Sequence, residues 1–214
     1  MKTKLLWAVF TAAVLWFVMF SPWTSHYVSF WWAMTCSGLL LSSMALVFGG
    51  FPPTVFSGDG GRRSASLLMR EVLLGLGIAV VLWGLFWVGD KLSQQLFSFA
   101  RPQVDLIYDM KSNFSASVIA LLLLFIIGPA EELFWRGYIQ RTLSSWFSPN
   151  VGFLLSTVAY TLVHLPSGNF MLIMAALTCG VLWGGLYRLM PRHFLAIVLS
   201  HALWDAAAFV WFPF

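Results

Sequence analysis

Charge is what this sequence lacks. Only 9% of its 214 residues are Asp, Glu, Lys or Arg, against 60% that are hydrophobic. A soluble domain carries roughly a quarter charged residues, so this chain cannot coat itself for water and lipid must be its solvent. Cysteine is scarce as well. Cys36 and Cys179 both stand inside apolar stretches, which excludes a disulfide framework and a Cys-rich metal cluster and leaves them as small packing residues. Basic runs with interleaved aromatics outside the apolar segments are missing, so no nucleic-acid partner is expected. Internal repeats and low-complexity tails are missing too.

What is present is a series of apolar runs: Leu5–Phe20, Tyr27–Phe48, Val72–Gly89, Phe114–Leu133, Val151–Leu165, Phe170–Met190 and Phe194–Phe212. A hydrocarbon core of roughly 30 Å takes about 20 helical residues to cross, and unpaired backbone amides are too costly in lipid for any other open structure. The chain therefore reads as an all-α, polytopic transmembrane helical bundle of about seven spans, with six to eight as the range and the first and fifth runs short. All of residues 1–214 are expected to form a single membrane domain. Turn formers fill the gaps: Ser21-Pro22, Gly49 to Pro53, Ser57 to Gly61, Ser148-Pro149-Asn150, Pro166 to Asn169 and Pro191. The charged start at Lys2 and Lys4 resembles a signal peptide but has no small-x-small cleavage site, so the first run reads as a retained span. Asp90–Asn113 is the longest polar and aromatic stretch, an ordinary loop, an interfacial helix, or a flap at a substrate entrance.

Twelve Lys and Arg against eight Asp and Glu give a net charge of +4. In a membrane chain that excess marks cytoplasmic loops. With the N-terminus inside, Lys2, Lys4, Arg62, Arg63, Arg70, Arg136, Arg141, Arg188 and Arg192 gather on one side and Lys91, Arg101 and Lys111 on the other. An integral protein of a prokaryotic plasma (inner) membrane is expected, with the N-terminus cytoplasmic and the C-terminus outside.

Ionisable groups inside apolar runs carry the functional signal, because each is expensive unless it meets a partner or water. Glu132 and Arg136 are four apart and share a helical face, whereas Glu131 points about 100° away and has no local partner. A carboxylate without a cation in a dry setting suits a general base near neutral pH. Tyr160 and His164 are likewise one turn apart, as are His201 and Asp205, whose carboxylate can fix the imidazole's tautomer. Taken alone, each cluster can be an anchor, a cap or a helix-knitting pair. Together on three apolar helices they require a shared polar cavity. Gly180 and Gly184 match a small-x-x-x-small packing stripe.

Glu-Glu-x-x-x-Arg, then aromatic-x-x-x-His, then His-x-x-x-Asp, each on an apolar segment, resembles the CPBP family. That family includes the Rce1-like CAAX prenyl endopeptidases and the bacteriocin-processing and abortive-infection types. The motifs lie within 114–214, and the N-terminal half has no comparable signature. The resemblance implies a glutamic intramembrane endopeptidase without a required metal or other cofactor, acting on a membrane-associated peptide or protein tail. It implies Glu131 as the base, His164 as a holder of the water, His201 and Asp205 at the oxyanion, and Glu132 with Arg136 as support. Asp205 departs from the Asn of eukaryotic-type members; an ionised Asp cannot donate to an oxyanion, so it is either protonated or orients His201. Two other readings use the same residues. Glu131, His164, His201 and Asp205 are all zinc-type ligands, although no His-Glu-x-x-His is present. Buried charge also marks non-enzymatic membrane proteins such as immunity factors or transporters.

Overall fold

Eight helices longer than a single turn, and no strands, make up the described part of the computed structural model, which describes residues 2–52, 65–111 and 114–214. They are α1 (Lys2–Phe20), α2 (Phe30–Gly49), α3 (Ala65–Leu96), α4 (Ala100–Asp109), α5 (Ala116–Trp146), α6 (Pro149–Leu162), α7 (Phe170–Leu189) and α8 (Phe194–Ala206), the last continued by a π-helical turn, Ala207–Trp211. The turn expected at Ser57–Gly61, with Arg62 and Arg63, lies outside the described residues. Six of the helices are long and apolar enough to cross a bilayer: α1, α2, α3, α5, α7 and the segment Pro191–Trp211 containing α8. The expected fifth span is α6, whose 14 residues extend only about 21 Å.

Contacts between helix ends sort the bundle into two ends. At one, Lys4 lies over the Phe48 ring, Arg141 donates to the Gly49 carbonyl, Arg188 meets Asn150, and Glu71 meets His193. At the other, Trp31 donates to the Met110 carbonyl, Asn169 to the Gln103 carbonyl and Tyr108 to the Ala208 carbonyl. The first is the basic end; the second is capped by α4. The chain passes between them seven times, α6 making the short pass. Of the Asp90–Asn113 stretch, the described residues 90–111 continue α3 and then form the amphipathic α4, which seats Val104 inward and leaves Leu106 outside.

The run expected to end at Leu133 does not end there. α5 continues through Trp146, and two stretches of it are π-helical, Leu123–Ile127 and Trp135–Gln140. Pro129 explains the first: it has no N–H to offer the preceding turn and its ring crowds the carbonyl there, and a π-turn absorbs both. Hydrogen bonding to other helices holds the second. Arg136 donates to the Cys179 carbonyl at 3.0 Å and Gln140 to the Gly184 carbonyl at 2.8 Å, both on α7. Gly128 lets α5 meet α8 at backbone contact, since a Cβ there would stand 2.8 Å from the Cα of Ala202.

Candidate active site

Continuation of α5 places Glu131 and Glu132 mid-helix, not at a span end. It also sets Glu131 level with His164. Each is fifteen residues from the turn joining α5 to α6, Glu131 before Trp146 and His164 after Pro149. In this antiparallel hairpin both lie about 22 Å from that turn, at one level. Tyr160, one turn before His164, donates from its hydroxyl to Oε2 of Glu131 at 3.0 Å.

The two adjacent glutamates have different surroundings. Glu132 has no exposure to solvent, and its Oε1 accepts from Nη1 of Arg136 at 2.9 Å and from Nδ1 of His201 at 2.6 Å. Two donors, one of them always cationic, make Glu132 an ionised structural carboxylate. Glu131 has a single hydrogen bond, from Tyr160, and lines a cavity of about 680 Å³. Tyr160, His164, His201 and Asp205 line the same cavity. Glu132 and Arg136 stand behind its wall.

His201 is fixed on two sides. Its ring stacks on Trp183 with centroids 4.1 Å apart and planes 18° off parallel. Trp183 is in turn tied to Ser200 by a 3.0 Å hydrogen bond from its indole. Donation of Nδ1–H to Glu132 leaves Nε2 for other partners. Asp205 Oδ2 is 3.6 Å from Nε2, too far for a hydrogen bond. Nε2 therefore faces the cavity as the ring's uncommitted position.

His164 is bound differently. Its Nδ1 donates to the carbonyl of Tyr160 at 2.8 Å, and its Nε2 accepts from the indole N–H of Trp16 at 3.2 Å. A carbonyl only accepts and an indole only donates, so the ring is the neutral Nδ1–H tautomer. Neither nitrogen is free for a water or a metal. Nothing in the sequence signalled Trp16, an apolar residue of α1 that is remote from every motif. Among the described residues no three His, Cys, Asp or Glu side chains converge in a way that would hold a metal ion. The zinc reading finds its four candidates on one cavity, but not as a ligand set.

The rest of the cavity is mostly apolar, walled by side chains such as Phe20, Trp31, Leu85, Phe86, Ile127 and Met174, with Asp90, Ser93, Tyr108 and Thr178 among them. Such a site is a largely apolar channel that ends on a carboxylate and an imidazole edge. Residues 113–207 match the family model described as type II CAAX prenyl endopeptidase Rce1-like. No curated protein and no solved structure matches the chain. The matched segment holds Glu131, Glu132, Arg136, Tyr160, His164, His201 and Asp205. Over that segment the chain is similar to the Rce1-like type II CAAX prenyl endopeptidases, a protease family.

Proposed function

We propose that this protein is a glutamic-type intramembrane endopeptidase that hydrolyses one peptide bond of a membrane-associated peptide or protein tail. The observation that carries this reading is the unequal state of the two glutamates. Glu132 is neutralised by Arg136 and His201, whereas Glu131 has one neutral donor and borders the cavity. A base needs that second environment and a scaffold needs the first.

In this reading Glu131 takes a proton from a water molecule in the cavity, and the water oxygen bonds to the substrate carbonyl carbon. The carbonyl electron pair moves onto oxygen, where Nε2–H of a protonated His201 faces the developing charge. Glu131 then delivers the proton to the amide nitrogen as the C–N bond breaks, releasing a carboxylic acid and an amine. Asp205 flanks Nε2 of His201 at 3.6 Å, so its part is to border the ring at its cavity edge. Tyr160 holds Glu131 in place, and His164 holds Tyr160 through its backbone. The basic end, with Lys2, Lys4, Arg70, Arg141, Arg188 and Arg192, faces the cytoplasm in this reading, which the excess of Lys and Arg at that end supports.

The test is Glu131→Gln, which keeps shape and removes the base. Proteolysis of a reporter with an apolar tail should fall by about 10²- to 10⁴-fold while the purified protein melts as the parent does. A folded variant cleaving at the parental rate would end the proposal.

A further inference from the structure

The cavity has a direction. Its floor is Glu131 and His201, at mid-height in the bundle, and its far walls are Phe97, Val104, Ile107 and Phe170, all at the α4 end. None of its lining residues comes from the basic end. It also has a side opening. Leu85, Val88 and Leu92 of α3 and Met174 of α7 line it while 39–52% exposed on the outer surface of the bundle. There α3 packs along α8 and α7 along α6, and α4 bridges α3 and α7 near the α4 end. The two ends differ sharply in charge. The α4 end has only Lys91, Arg101 and Lys111, offset by Asp90, Asp105 and Asp109, and Arg101 is itself paired with Asp105.

From these observations we infer that the site is served from the membrane face opposite the cytoplasm, and that its substrate is the apolar anchor of a translocated protein. This rests on the protease reading above. The apolar segment enters sideways from lipid between α3 and α7, and its polar flank approaches beneath α4. A tail lipidated in the cytoplasm would have to present its scissile bond from the basic end, where the cavity has no opening residue. The basic end also retains Lys and Arg on the cytoplasmic side, so α4 and the cavity mouth face outward.

Two measurements test this separately. In the first, Ser98→Cys beside α4 and Ser145→Cys at the end of α5, both exposed positions, are treated in intact cells with a membrane-impermeant maleimide, with the parent chain as blank. Ser98→Cys should be labelled before lysis and Ser145→Cys only after it; the reverse pattern overturns the inference whatever the enzyme cleaves. In the second, one reporter is exported and one retained in the cytoplasm, each ending in the same apolar helix. The parent should cut the exported reporter at least tenfold faster, and equal or reversed rates overturn the inference. Glu131→Gln run alongside isolates the chemistry: if it cuts as the parent does, the protease reading fails, while the labelling result still decides which face the mouth occupies.

Discussion

Arg136→Met removes the cation from a pair in which Arg136 is 1% exposed and Glu132 0%. The guanidinium donates to Glu132 at 2.9 Å and to the Cys179 carbonyl at 3.0 Å. Its loss leaves a buried carboxylate with only His201 as donor, and removes the second donor from the Cys179 carbonyl on α7. Breaking a buried pair from one side costs about 3–5 kcal/mol. For a chain of this size that is on the order of 10 °C in melting temperature. Glu132→Gln combined with Arg136→Met should recover at least half of the loss, because the uncompensated charge is gone and the amide oxygen still accepts from His201. Thermal unfolding in one detergent, across parent, two single variants and the double variant, gives the coupling directly. A loss below about 1 kcal/mol for Arg136→Met, or a double variant no better than the sum of the singles, would mean that the cluster is hydrated, and the dry-scaffold account of Glu132 would fall.

Three further outcomes follow from named contacts. Tyr160→Phe keeps the ring packed on Trp135 (centroids 5.2 Å apart) but removes the donor to Glu131; kcat should drop about tenfold, the worth of a charged hydrogen bond, and an unchanged kcat takes Tyr160 out of the site. Gly128→Ala places a Cβ 2.8 Å from Ala202 Cα and should cost about 1–3 kcal/mol by overpacking, seen as a lower melting temperature; a neutral result would show that α5 and α8 can separate freely. Burial lowers the Lys111 ammonium below its ordinary value of 10.5. The folded chain therefore sheds that proton before the unfolded one does, and stability should rise with pH through that window up to about 10.5. The melting temperature of the parent relative to Lys111→Met, followed from about pH 8 upward, should move in the parent's favour, and a flat difference would show a fully solvated amine.

The membrane class was legible because composition alone forbids a water-coated fold, and each apolar run reappears as a helix. Boundaries were less legible. Glu131, Glu132 and Arg136 look like the polar end of a span, yet α5 carries them at its centre, because Arg136 and Gln140 find carbonyl partners on α7 that no local pattern encodes. Spacing showed the i, i+4 pairs correctly for Glu132 with Arg136. For His201 the decisive partner is Glu132, 69 residues earlier, and the Asp205 one turn away is only a 3.6 Å neighbour. Trp16 was invisible for a related reason: an indole in an apolar run looks like any other bulky residue until its N–H is seen to meet an imidazole. The Gly180 and Gly184 stripe reads as packing, and it does admit Thr157 and Phe153 closely. Its other effect, exposing backbone acceptors to α5, depends on which helix arrives.

The hairpin of α5 and α6 behaves like the two arms of a folding rule. Because the carboxylate on one arm and the imidazole on the other are counted from the same hinge, one residue added to either arm alone would swing its group by about 100° and slide it about 1.5 Å along the axis. Lengthening the hinge itself would shift both arms together and leave the pair matched in height. Length variation in this part of the chain should therefore be tolerated between Trp146 and Pro149, and nowhere else from residue 131 to residue 164.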